Sequence, residues 1–200
     1  MTTETPPAGR LERRKARTRA SIIEAAAALF HQRGYEETSI QHIAELADTG
    51  VGTLYGYFDS KDEILREVLL LARNEALEGY LAAIDEQTPT IDRICTALRQ
   101  VGVWVRNNRT ILIAAFQISA RQRPLDEEQA VWVYNAFATM LHEGIASGEL
   151  RKVPVDTTVR MLLGAYTTAM LGLAAWKGRE DDPKTLADLD LLTRGMLVGA

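Results

Sequence analysis

Residues 38 to 65 read TSIQHIAELADTGVGTLYGYFDSKDEIL, from Thr38 to Leu65. Ile40, Ile43, Ala44 and Ala47 fall at i, i+3, i+4 and i+7, the spacing of one apolar helix face. Val51, Leu54, Tyr55 and Phe58 repeat that spacing. Only Asp48-Thr49-Gly50 separates the two sets. Two short amphipathic helices about a tight, glycine-bearing turn predict a helix-turn-helix over residues 39–58. Thr38 or Ser39 is placed to cap the first of them. Upstream, Ile22, Ala26, Leu29 and Phe30 share a face of a helix predicted from about Lys15 to Arg33, which Gly34 ends. Downstream, Ser60 and Glu63 form an S-x-x-E capping box that opens a helix running to about Ile84.

Helical periodicity continues to the end of the chain and strand alternation is absent over any useful length. Five more helices are predicted near Thr90–Asn107, Thr110–Arg121, Asp126–Ser147, Asp156–Lys177 and Pro183–Val198. The expected fold is all-α, with about nine helices. Residues 1–14 form a flexible basic arm, 15–75 a helix-turn-helix head, and 76–200 a larger helical body.

Composition narrows the function. A hydrophobic content of 46% supports a sizeable core. The longest apolar run, Met161–Trp176, is interrupted by Tyr166, Thr167 and Thr168 and falls short of the about 20 residues a membrane span needs. It reads as a buried helix. The first nine residues have neither the charge nor the apolar core of a signal peptide. The single cysteine, Cys95, excludes an internal disulfide and a cysteine-based metal cage. These features predict a cytoplasmic protein with no membrane partner, no metal and no cofactor. No HExxH, GxSxG, phosphate loop or paired-carboxylate pattern is present, so an enzyme is not expected.

The net charge is −4. Six of the basic residues, however, lie between Arg10 and Arg19, whereas Ala20 to Arg66 holds eight acids and three bases. An electrostatic footprint on DNA would therefore sit at the N-terminus.

The stretch quoted above resembles the helix-turn-helix of the tetracycline-repressor (TetR) family. The matching positions are Gly34-Tyr35, Thr38, Ile43-Ala44, Ala47, Gly52-Thr53-Leu54-Tyr55, Tyr57-Phe58, and Ser60-Lys61 leading into Ile64-Leu65. The likeness covers Arg17 to Glu67. Beyond it, the chain matches only in length and helix number. Two positions depart from the family pattern. Asp48 stands where the turn usually has glycine, and Gly56 where a large polar or aromatic residue often reads a base.

Helix-turn-helix physics and the resemblance assign similar roles. Leu54 and Phe58 should pack inward against Leu29, Ile40 and Ala44. Val51, Gly52, Thr53, Tyr55 and Tyr57 are then available to DNA. Thr53 can bond a base or touch a thymine methyl, and Tyr57 can donate to a phosphate. Lys61, in the first turn of its helix, could share a phosphate with that helix end. Thr38 and Ser39 are either caps, phosphate contacts, or both. Arg13, Arg14, Lys15, Arg17 and Arg19 form either an arm that tracks the DNA backbone or a solvated helix start.

The body carries two expectations. Gly164, Thr168 and Gly172 form a small-residue stripe, and Leu186, Leu189, Leu192 and Met196 give the last helix an apolar stripe of its own. These predict a homodimer interface, with ordinary packing within the chain as the alternative. The family also implies a pocket for a small apolar effector. Its candidate lining is Trp104, Phe116, Tyr134, Phe137, Met140, Tyr166, Met170 and Trp176, with His142 as a weaker polar candidate; packing in the core would explain the same residues. The function expected is a sequence-specific regulator, a repressor released from a palindromic double-stranded operator by that effector. Its rivals are a metal-sensing regulator and a helix-turn-helix protein without an effector.

Overall fold

In a computed structural model, which describes residues 9–85, 87–121, 127–172 and 182–198, every regular element is a helix. In chain order they are α1 (Arg10–Arg33), α2 (Ile40–Leu46), α3 (Val51–Tyr55), α4 (Lys61–Ala82), α5 (Thr90–Asn107), α6 (Arg109–Arg121), α7 (Glu127–Ser147), α8 (Val155–Leu171) and α9 (Asp182–Leu197). The fold is all-α, as its periodicity demands.

The head forms because α1, α2, α3 and the first turns of α4 each offer one apolar face. Ile22, Phe30, Ile43, Leu54 and Phe58 meet there and are fully buried or nearly so. Ile64, Leu65 and Val68 bring α4 into the same cluster. The cluster does not stop near residue 75. Val105, Ile111, Leu112, Met170 and Leu171 continue it into the body. Head and body therefore share a core, and the expected boundary is not a gap in packing.

The body is built on α5, which packs against α4, α7, α8 and α9. Ile94, Leu98, Phe137, Leu141, Leu162 and Tyr166 form its second cluster. Gly144 of α7 is required by close approach. A Cβ there would meet Leu150 at 2.5 Å and the Thr90 methyl at 2.8 Å. The start of α5 is also capped from this connection. Pro89 offers no capping side chain, and the Thr90 N–H instead donates to the Glu149 carboxylate at 2.7 Å.

Three boundaries differ from expectation. α1 begins at Arg10, so Arg10–Arg14 extend a helix instead of forming a separate arm; residues 1–8 lie outside the described residues. α3 ends at Tyr55, short of Phe58. Gly56 turns the chain there, and Phe58 is still held by its N–H on the Leu54 carbonyl at 3.1 Å. α8 ends at Leu171, because Gly172 adopts φ 60° and stops the helix in the left-handed conformation. Trp176 lies outside the described residues.

Candidate nucleic-acid interface and ligand cavity

The two short helices are held by local chemistry. The Ser39 hydroxyl accepts from the His42 N–H at 3.1 Å, and His42 Nδ1 accepts from the Ser39 N–H at 3.3 Å. This is a capping box with histidine in the place of glutamate. Asp48 has φ 51°, the one positive-φ residue other than glycine among those described. Aspartate tolerates this better than most side chains, which keeps the turn intact without glycine.

The outer face of the recognition helix presents Gly52, Thr53 and Tyr55, with Tyr55 52% exposed. Val51 and Tyr57 are half-buried and lean on the head core. Thr38 is only 1% exposed, and its hydroxyl donates to the Gly34 carbonyl at 2.7 Å. Its side chain is thus spent on the loop after α1, and only Ser39 of the expected pair keeps partial access. Lys61 also turns inward. Its ammonium donates to the carbonyls of Tyr35 and Thr38, both at 2.9 Å. Two of its three donors are engaged, so the expected phosphate contact is left to the third. The Tyr35 hydroxyl donates to Asp62, and burial, then that bond, hold the phenol well above its ordinary pKa. At the mouth of α4, Ser60 caps the Glu63 N–H and Glu63 accepts from the Asp59 N–H at 2.6 Å.

The basic residues of α1 divide by partner. Arg19 pairs with Glu67 at 2.8 Å and lies over the Phe58 ring. Lys15 lies 3.8 Å from Glu12. Arg13, Arg14 and Arg17 are exposed and make no ion pair among the described residues. Their charge is free to meet phosphate.

Behind the head, α4, α5, α6, α7 and α8 line a half-open cavity of about 940 Å³. Trp104, Phe116, Phe137 and Met140 line it, as expected. Tyr134, Tyr166, Met170 and His142 do not. On α7 the face turned inward is Trp132, Val133, Ala136, Phe137 and Met140. Tyr134 points elsewhere and donates to Asp156, with Arg160 over its ring, while His142 is exposed. On α8 the cavity is reached by Leu163 and Thr167. Tyr166 and Met170 are instead buried in the cores, and burial pushes the Tyr166 phenol up to about 12.

Sequence reasoning missed the wall contributed by α4, namely Leu69, Arg73, Ala76, Leu77 and Tyr80. Their spacing of i, i+4, i+7, i+8 and i+11 was the available signal: one helical stripe, small or apolar, broken by a single arginine. A smaller cavity of about 360 Å³ lies between α1, α4 and α5. Ala76, Gln100 and Trp104 border both spaces.

The last two helices also differ from expectation. Leu189 and Met196 are half-buried and pack within the chain. Of the expected stripe only Leu192 is exposed, and it shares the exposed face of α9 with Leu191, at 69% and 70%, one turn from Gly195. On α8, Met161, Gly164, Ala165 and Thr168 are exposed at i, i+3, i+4 and i+7. Gly172 belongs to the end of α8, not to its packing face.

Residues 22–68 match the family model described as bacterial regulatory proteins, tetR family. An uncharacterized HTH-type transcriptional regulator of Bacillus subtilis, YhgD, is 24% identical over 84% of this chain and 90% of its own length. A transcriptional regulator of the TetR/AcrR family from Thermobifida fusca superposes with a TM-score of 0.70 at 25% identity, covering 88% of this chain and 95% of that one. FadR of Bacillus subtilis, solved in complex with stearoyl-CoA, superposes with a TM-score of 0.69 at 21% identity, covering 90% and 98%. Residues 22–68 thus carry a head similar to that of the tetR family of bacterial regulatory proteins, and the body shares the all-α fold of the TetR/AcrR-family regulator from Thermobifida fusca.

Proposed function

We propose that this chain is a cytoplasmic, sequence-specific repressor rather than an enzyme, acting as a homodimer on a palindromic operator and released by a small ligand with a large apolar portion. One observation carries the reading: α4 begins at the DNA-facing side of the head and its middle turns form a wall of the 940 Å³ cavity. A ligand that displaces α4 necessarily displaces the head that α4 is packed into. The unit that reads DNA runs to about residue 75, and the remainder senses and dimerises.

DNA would meet Gly52, Thr53 and Tyr55 directly. Val51 and Tyr57 would contribute their exposed edges, and Ser39 and the start of α4 would approach phosphates. Arg13, Arg14 and Arg17 supply the sequence-independent attraction. A volume of 940 Å³ suits a drug-sized or lipid-like molecule, and the stearoyl-CoA held by FadR gives the fold a precedent for such a guest. The exposed faces of α8 and α9 would form a four-helix bundle across a twofold axis, centred on Leu191 and Leu192. Twofold symmetry places two recognition helices about 34 Å apart, in successive major grooves. A shift of α4 changes that separation.

Selection of bound sequences from random DNA tests this reading, followed by release with a library of apolar compounds. The expected result is a palindrome with half-sites one or more helical turns apart, released by a subset of the library. Binding without twofold symmetry, or without release by any compound, would leave a DNA-binding protein with no effector.

A further inference from the structure

We propose that the guest of the large cavity is an amphipathic anion, its acidic group gripped by Arg73 of α4 and its apolar body filling the space between α4, α5 and α7. This rests on the reading that the cavity is a ligand site. The argument comes from the polar atoms left over on its wall. Arg73 and Arg93 both line the cavity. Arg93 has a partner, Glu143, at 3.9 Å. Arg73 has none among the described residues: its only hydrogen bond is from Nη2 to the neutral amide of the adjacent Asn74, at 3.0 Å. Its Nε is buried and unbonded. Its guanidinium lies 5.4 Å from the centre of the Trp132 ring, a stacking arrangement that leaves the fork free to donate in its own plane.

A second buried group points the same way. The indole Nε1 of Trp104, on the facing helix, is buried with no acceptor. Buried polar atoms are normally satisfied, and ones that are not ask for a partner that is absent. Here both orphans are donors and one carries a full charge. A neutral apolar guest would leave both unsatisfied, and a cation would be repelled by Arg73. A carboxylate, sulfate or phosphate on an apolar tail answers Arg73 with a charge-assisted pair and offers further acceptor atoms to Trp104. Because Arg73 sits on α4, the grip falls on the helix that joins cavity to head.

The test is calorimetric titration of the full-length protein at pH 8 with decanoate, 1-decanol and decyltrimethylammonium. Decanoate should bind at least tenfold tighter than decanol, with the ammonium weakest. Arg73→Met should erase the preference and leave decanol binding within twofold, Arg73→Lys should keep part of it, and Trp104→Phe should weaken decanoate alone. Equal binding of decanoate and decanol, or a preference that survives Arg73→Met, overturns the proposal while the cavity remains a ligand site. Should Arg73→Met fail to fold by circular dichroism, the wild-type ranking and Trp104→Phe decide. Failure of all three probes to bind overturns both readings. Arg73-dependent binding without release of DNA keeps the anion grip and removes the repressor.

Discussion

The ammonium of Lys61 lies 4.0 Å from the centre of the Tyr35 ring while donating to the Tyr35 and Thr38 carbonyls. One side chain thus ties the start of α4 to the loop between α1 and α2. Lys61→Met keeps the aliphatic stem and removes the charge. It should lower stability by about 1–2 kcal/mol, the worth of a partly exposed cation–π contact with its charged hydrogen bonds. Urea denaturation of the DNA-free protein measures this. An unchanged midpoint would mean that Lys61 serves DNA and not the fold.

The free arginines at the start of α1 give a prediction about salt. Arg13, Arg14 and Arg17 are exposed and unpaired among the described residues. Replacing all three by alanine should leave the melting temperature nearly unchanged. It should weaken DNA binding and flatten its logarithmic salt dependence by up to about 0.9 for each phosphate that is no longer neutralised. Fluorescence anisotropy across a salt series reads both.

Asp48→Gly bears on the turn. The positive φ at Asp48 is native to glycine, so the substitution should keep stability within about 0.5 kcal/mol. It also removes an exposed carboxylate from the helix-turn-helix, and affinity for DNA should rise. A weaker complex would show that Asp48 makes a contact of its own.

Leu191→Glu together with Leu192→Glu should give a folded monomer by light scattering, with DNA affinity falling at least tenfold. Leu189→Ala should instead destabilise the subunit, by about 2–3 kcal/mol, because Leu189 packs within the chain. A double variant that stays dimeric would place the interface elsewhere.

Glu149 gives a pH dependence. The Thr90 N–H bond, first among its causes, lowers the carboxyl below the ordinary ~4.3 of glutamate. The folded state then binds fewer protons than the unfolded one. The contribution is present above about pH 5 and fades as pH falls through the folded value. Wild type should therefore be more stable than Glu149→Gln at neutral pH, with the difference shrinking towards pH 3. A constant difference would assign the effect to shape and not to charge.

The head was legible because short-range spacing decides it. Ile43, Leu54 and Phe58 could be placed inside from sequence alone, since a helix of known phase has one inward face. The side chains of Thr38 and Lys61 were harder, because their partners are carbonyls of a loop that periodicity does not describe. In the body, residue type misled. Tyr166 and Met170 look like pocket residues, but the phase of α8 turns Leu163 and Thr167 to the cavity. The phase of α9 is set by its packing on α5 and α8. The same packing placed Leu189 and Met196 inside and Leu191 and Leu192 outside, although all four are apolar. Arg73 was passed over because a charged residue in a helix reads as solvated unless the opposing wall is known.

Ala76, Gln100 and Trp104 border both the larger cavity and the smaller one beneath the head. A close-packed interior passes a push straight through, because nothing in it can yield. Here the push meets a partition with a chamber on either side. On the proposed function, bulk crowded into the larger chamber would drive the partition towards α1, and a head drawn tight on DNA would drive it back. The two chambers would then compete for the space about these three residues. Whatever penalty a guest in the larger imposes on DNA binding, DNA imposes on the guest in equal measure.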